Sequence, residues 1–378
     1  KISGLPPPNA FGDVLIGFDK PAFCSYGLDQ SANAAMSEET AKTYQAGLNH
    51  LVRHHSARLG DVLVVHWYRS TVPAEDDPLA WLDDLPESAE ADARIRARKL
   101  LTAIREGSRP DLAGNTYYAL SLSGNGGRVM VRDWMEGAFE DLAGAIDAWF
   151  EDLAIVRPQG AGIAAPPRFF ALRCALVRDP KDVPAPLAAK LFRVAVRAEP
   201  VPFAFMAQAL ARARIDFIQG NASSAARMGL VRAYFARKHR LAKGVIKMTE
   251  TVQPELTEDL TSPAYQCGRL MAVLAGVQHA ALGEVGADVI QRYYAAASTT
   301  PALVFGRLVR GAQFHLGKLP PGLAWWYEDR IAEICRRIGT SMPATLTLEE
   351  QGLFALGYYQ QLAAQRAPKE NNKKEGEK

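Results

Sequence analysis

TYYALSLSGNGGRVMVRDW, residues Thr116–Trp134, decides the fold class. Alternating residues flank the cluster Ser123-Gly124-Asn125-Gly126-Gly127, whose glycines accept positive φ, and that combination is the signature of a β-hairpin. An all-helical fold is thereby excluded. Directly after the hairpin, Phe139, Leu142, Ile146 and Phe150 recur at helical spacing, which predicts an amphipathic helix from Met135 to Leu153 with its aromatic residues in the core. Toward the N-terminus, apolar runs at Asp13–Phe18 and Asp61–Tyr68 read as strands, the second (VLVVHWY) continuous enough to be buried on both faces. Between them Ser37, followed by Glu38 and Glu39, marks the start of a helix running to Arg58, because the hydroxyl can cap free N–H groups and the acids oppose the helix dipole. Val72–Pro86, acidic and proline-containing, is a loop, and the charged run Ala89–Ile104 is a second helix.

Beyond Pro158 the strand pattern stops. Pro166, Pro167, Pro184, Pro186, Pro200 and Pro202 punctuate short helical segments, placed near helix starts where the missing N–H costs least. No fixed-period repeat marks a solenoid. Glu250–Leu260 turns acidic around Pro254 and reads as a linker. Five helices then follow: from Ser262-Pro263 to Gly283, Val285–Ala297, from Thr300-Pro301 to Gly317, Gly322–Ile338, and Thr347–Gln365, the last opened by a Thr347/Glu350 capping box. Gly268, Gly276, Gly306 and Gly311 lie inside these helices at a cost in propensity, which predicts close helix crossings. The tail from Ala367 to Lys378 has nothing apolar to bury and reads as disordered. The expected fold is α+β and predominantly helical: a mixed strand/helix portion over 1–154, basic helical hairpins over 155–249, and a C-terminal bundle over 250–366.

The 378 residues, 48% hydrophobic and 22% charged, have ordinary globular composition. The net charge of +3 is unevenly spread: residues 1–154 carry 14 Lys and Arg against 23 Asp and Glu, residues 155–249 carry 17 against 4, and residues 250–378 carry 13 against 14. A local excess of that size points to a polyanionic partner. Its densest part is NASSAARMGLVRAYFARKHRLAKGVIKMT, Asn221–Thr249, with seven basic residues and no acid. Read as one helix, it gathers Met228, Val231, Tyr234, Phe235, Leu241, Ala242, Val245 and Ile246 on one side and Arg232, Arg240, Lys243 and Lys247 on the other. With the adjacent Arg237 and Lys238 these are candidate nucleic-acid contacts; the competing reading is an ordinary solvated face. In the bundle, Arg307 and Arg310 are neighbours on one helix face, and with Arg269 and Lys318 they would line a groove that tracks a single strand without reading bases.

Catalytic motifs are sparse. His50 and His54 are one helical turn apart with His55 adjacent, but the spacing lacks an internal Glu and a third ligand, so no metal site is assigned. Gly124–Gly127 lacks a following Lys-Ser/Thr and precedes a strand, which makes it a turn rather than a phosphate cradle. Neither a nucleophile elbow nor a cluster of acids for two-metal chemistry occurs. Cys24, Cys174, Cys267 and Cys335 are far apart, without a C-x-x-C pair, and read as reduced, mostly buried thiols of a cytoplasmic protein. No run of 18 apolar residues spans a membrane. Lys1 is not an initiator residue, so the expectation is a chain extending further upstream.

Four segments, FDKPAFCSYGLDQSANAAMSEETA (Phe18–Ala41), NTYYALSLSGNGGRVMVRDW (Asn115–Trp134), AYQCGRLMAVLAGVQHAA (Ala264–Ala281) and YYAAASTTPALVFGRLVRGAQFHLGKL (Tyr293–Leu319), resemble the large subunit of the subtype I-C CRISPR Cascade complex, in that family's order. The resemblance implies a non-enzymatic subunit without cofactor. Its implied partners are crRNA-containing Cascade backbone subunits, target double-stranded DNA with its displaced single strand, and a separately recruited helicase-nuclease. It assigns recognition of the protospacer-adjacent motif to an N-terminal domain expected upstream of Lys1, and R-loop support to the helical bundle. It also suggests that the bundle is made separately from an internal start, for which Met248 is the candidate by position. The rival readings are a metal-dependent nuclease and a scaffold that contacts only protein and RNA.

Overall fold

The computed structural model describes residues 1–18, 21–24, 26–82, 87–179, 182–221, 223–242 and 251–368. Among them are twelve α-helices and one four-stranded antiparallel sheet, the helix-rich α+β class expected. They form two compact units, one of residues 1–150, 168–174 and 178–199, the other of 151–167, 175–177 and 200 onward. This division differs from a cut at 154 and 249.

In the first unit the strands β1 (Ser56–Leu59), β2 (Val62–Tyr68), β3 (Thr116–Asn125) and β4 (Arg128–Ala138) pair in sequence order. The β3–β4 turn is the Gly126-Gly127 pair, with φ of 56° and 83°, as a two-residue hairpin with the twist of its strands demands. Helix α1 (Glu38–His54) starts on a Ser37 hydroxyl that accepts from Thr40 N–H, and it lays Val52 into a core with Ile2, Leu5, Leu63, Val65, Leu122 and Val129.

Three expectations are corrected by sheet pairing. Ser56–Leu59 does not continue α1; it pairs with Val62–Val65 across the Gly60 turn. Met135–Ala138 extends β4, with Gly137 opposite Tyr117, and α3 begins only at Phe139 and runs to Leu153. A side chain at Gly137 would press on the Tyr117 ring. Asp13–Phe18 makes only isolated bridges, Asp13 to Ile2 and Val14 to Arg128. Helix α2 (Glu87–Arg105) forms as expected, and the loop before it contains two single 3₁₀ turns.

The proline-punctuated region becomes α4 (Phe169–Leu176), α5 (Ala185–Val196) and α6 (Phe203–Ile218), the last two starting immediately after Pro184 and Pro202. The basic stretch supplies α7, Ala225–Leu241, capped by the Ser224 hydroxyl. Lys243, Lys247 and Met248, and the expected tail from residue 369, lie outside the described residues.

The five C-terminal helices appear where expected: α8 (Pro263–Leu282), α9 (Val289–Ala297), α10 (Pro301–Leu316), α11 (Pro321–Ile338) and α12 (Leu348–Arg366). The Thr347/Glu350 capping box forms, and a second one joins Asp288 to Gln291. Residues 251–260 do not behave as a linker. Val252 and Leu260 are buried, and Thr257 N–H donates to the Tyr265 hydroxyl at 3.1 Å.

Helices α8 and α12 cross at two glycines. A Cβ on Gly268 would collide with the Phe354 carbonyl oxygen, and one on Gly357 with that of Tyr265. Gly276 faces only side-chain ends, Tyr327 Oη at 3.3 Å and Gln365 Nε2 at 3.4 Å, whereas Gly306 and Gly311 meet nothing within 4 Å. The close-crossing expectation therefore holds for Gly268 and fails for Gly306 and Gly311. Gly268→Ala is expected to cost about 3 kcal/mol in chemical denaturation, because backbone cannot yield as a side chain can. Gly306→Ala should instead gain up to about 1 kcal/mol from helix propensity.

Candidate nucleic-acid interface

The arginines of α7 do not form a solvated face. Arg227, Arg232 and Arg237 are all buried, so each charge needs an internal partner. Arg227 pairs with Asp216 and donates to the Ala175 carbonyl at 3.2 Å. Arg232 donates to three backbone carbonyls, those of Val252 (3.1 Å), Glu151 (2.8 Å) and Asp152 (2.9 Å). The Glu151 and Asp152 carbonyls belong to the C-terminal turn of α3, where a cation also meets the negative end of the helix dipole.

Arg237 and Asp152 make an ion pair in which the two side chains are 1% and 0% exposed. Arg240 donates to both oxygens of the same carboxylate. Burial pushes the Asp152 carboxyl up and the Arg237 guanidinium down, while the attraction between them opposes both shifts. Lys238 is on the outside and donates to both Glu349 oxygens at 2.8 and 3.0 Å. Hydrogen bonds from Lys238 and from the Tyr234 hydroxyl hold the Glu349 carboxyl below its usual value. The expected anion-binding face of Arg232, Arg237, Lys238 and Arg240 is thus engaged by the protein's own acids and carbonyls.

Arg269 is likewise fully buried on α8. It donates to Gln361 Oε1 (3.0 Å), Gln266 Oε1 (2.8 Å), the Glu258 carbonyl (3.0 Å) and Glu333 Oε2 (3.2 Å). Its role is to tie α8, α11 and α12 together, and it does not line a groove with Arg307 and Arg310.

Arg307, Arg310 and Lys318 are different. All three are exposed, and no ion pair among the described residues engages them. Helix α10 holds no acidic residue at all, so its cations face solvent without internal competition. Large apolar residues are also exposed on these helices, Leu303 and Phe314 on α10 and Trp325 on α11, an exposure the sequence alone does not reveal. The signal was present as the i, i+4, i+7, i+11 series Leu303, Arg307, Arg310, Phe314, but periodicity alone does not say which face of a helix meets the core.

The His50 and His54 rings lie 4.7 Å apart, and no group of three or more metal-capable side chains occurs among the described residues. Of the four cysteines only Cys267 is fully buried, its thiol pushed up to about 12 by desolvation; the other three are half-buried, so fewer are buried than expected.

Residues 1–365 match a protein family described as CRISPR-associated protein (Cas_Csd1), and the chain belongs to that family. A comparison with curated proteins returned no match. Among the described residues no helix is long and apolar enough to cross a membrane.

Removing one partner of the buried pair should be severe. Arg237→Ala is expected to cost about 3–5 kcal/mol in urea unfolding, since it leaves Asp152 with only one guanidinium. Arg310→Ala, on the surface, should stay within about 0.5 kcal/mol of the parent. A mild effect at Arg237 would mean that Asp152 is neutral in the folded protein.

Proposed function

We propose that this chain is the non-catalytic large subunit of a crRNA-guided type I-C surveillance complex and that it helps hold target DNA in the R-loop. Membership of the CRISPR-associated family over residues 1–365 is the observation that carries this reading. In such a complex, pairing with the guide reads the sequence, so the protein subunits need positive surface on rigid elements rather than base-edge contacts. Arg307 and Arg310 of α10, with Lys318 just after it, supply such a surface: three exposed charges on and beside a helix that itself holds no acid. Reading of the protospacer-adjacent motif is assigned to no residue of this chain. The partners are the crRNA-bearing backbone subunits, target duplex and displaced strand, and a recruited helicase-nuclease that does the cutting, all in the cytoplasm.

Because Arg232, Arg237 and Arg269 hold the fold, replacing them does not test DNA contact; Arg307, Arg310 and Lys318 do. Changing these three to Ala should weaken binding of the assembled complex to target DNA equally for different guides. The slope of log K against log salt should fall by about 2, from roughly 0.7 per lost single-strand phosphate contact. An unchanged slope would remove α10 from the interface. DNA cleavage by the purified chain in Mg²⁺, lost on His50→Ala, would replace this reading with a nuclease. Complex assembly that DNA does not influence would leave a protein–RNA scaffold.

A further inference from the structure

Two cavities flank the C-terminal half of α12 in the second unit. One, of about 350 Å³, opens between α8, α9, α11 and α12, and the other, of about 100 Å³, lies against the loop that joins α6 to α7. Both are lined by Asp288 and Ile290 from the start of α9, and by Tyr358, Leu362 and Arg366, which their i, i+4, i+8 spacing sets on one face of α12. Together they have the size of a small-molecule site. None of Arg307, Arg310 and Lys318 lines either cavity, so the place is separate from the DNA-facing surface proposed above.

Polar atoms here lack partners. Tyr358 is only 5% exposed, yet its hydroxyl makes no hydrogen bond among the described residues. Buried Gln365 Nε2 in the larger cavity and Ser223 Oγ in the smaller one are likewise without a partner. A fold leaves few such atoms bare, and each calls for water or a ligand. Gly276 keeps one wall of the larger cavity clear, since a Cβ there would press on Tyr327 Oη at 3.3 Å and on Gln365 Nε2 at 3.4 Å. One Asp288 carboxylate oxygen caps α9, accepting from Gln291 N–H at 2.7 Å; the other has no hydrogen-bond partner among the described residues. Arg366 is exposed and enters no ion pair among the described residues. Both charges act on Tyr358: burial pushes its hydroxyl up, Asp288 adds to the rise and Arg366 opposes it.

An acid and a base thus reach one bare hydroxyl without pairing with each other. A simple anion would be drawn by Arg366 and repelled by Asp288, and a simple cation the reverse, whereas a molecule with both charges satisfies both. Ile290, Leu362 and Phe217 add apolar wall, which suits a hydrocarbon or ring. We propose that the double cavity binds a free α-amino acid with an apolar side chain, its ammonium on Asp288, its carboxylate on Arg366 and the Tyr358 hydroxyl, and its side chain against Ile290, Leu362 and Phe217.

The full chain, free of nucleic acid, is titrated calorimetrically with L-phenylalanine, with phenethylamine, which lacks the carboxylate, and with 3-phenylpropionate, which lacks the ammonium. L-Phenylalanine is expected to bind, and each one-charge analogue to bind at least about 10-fold more weakly. Asp288→Asn, whose amide oxygen still caps α9, and Arg366→Gln should each weaken L-phenylalanine about 10- to 150-fold, as expected for the loss of one hydrogen bond to a charged group. Tyr358→Phe removes a hydroxyl the fold does not use, so it should weaken binding while the melting temperature without ligand stays at the parent value. If 3-phenylpropionate or phenethylamine binds as tightly as L-phenylalanine, the site is not one for a zwitterion and the proposal is overturned. If L-phenylalanine binds but Asp288→Asn and Arg366→Gln bind it like the parent, it sits elsewhere and the proposal is equally overturned. If no probe binds, water serves the bare atoms and the proposal falls, leaving the nucleic-acid reading untouched.

Discussion

A carboxylate removed from water must find its positive charge inside the protein, and Asp152 finds two. Arg237 reaches it in full burial and Arg240 from the half-exposed side, while Arg232, on the same helix, donates to the carbonyls of Glu151 and Asp152 themselves. Three arginines of α7 are therefore bound to one short segment at the end of α3. Arg232 Nε donates to the Val252 carbonyl, which fixes the segment of chain leading toward the bundle. Desolvating such charges is expensive, and the pair is weak evidence for net stability; what it supplies is a single acceptable position for α7.

That arrangement explains why the charge map of the sequence misleads. The region 155–249 has the largest cationic excess, but Arg227, Arg232, Arg237, Lys238 and Arg240 all meet acids or carbonyls of the protein, some more than 80 residues away in sequence. Counting charges along the chain cannot see a partner at that distance. The nearly neutral C-terminal third, by contrast, leaves Arg307, Arg310 and Lys318 facing solvent because the acids that balance its total sit on other helices, as Glu333 does on α11 beside Arg269 and Arg337. Net charge per region and available charge per surface are different quantities, and only the second attracts a polyanion.

Local signals were legible where the physics is local. The Gly126-Gly127 hairpin, the Ser37 and Thr347 caps and the five bundle helices follow from turn chemistry, capping and periodicity within a few residues. The misreadings arise where a distant partner decides. Ser56–Leu59 is a strand because β2 is beside it, and Met135–Ala138 is a strand because β3 offers an unfilled ladder. Residues 251–260 look like a linker by composition, yet Val252 and Leu260 find a core. The same limit hid the outward face of α10, since Leu303 and Phe314 have the periodicity of core residues and only the packing of α8 and α9 against the opposite side turns them to water.

The paired glycines of α8 and α12 have a kinematic consequence. Each backbone rests in a notch on the other, Gly268 against the Phe354 carbonyl and Gly357 against that of Tyr265. Sliding either helix by one residue would bring a side chain to where only a hydrogen fits, and rotating it would lift both notches at once. The two helices thus engage like a key with a single cut. Any movement that reaches this bundle must carry α8 and α12 together as one rigid shaft, and the bearings of α9, α10 and α11 are set by where that shaft points.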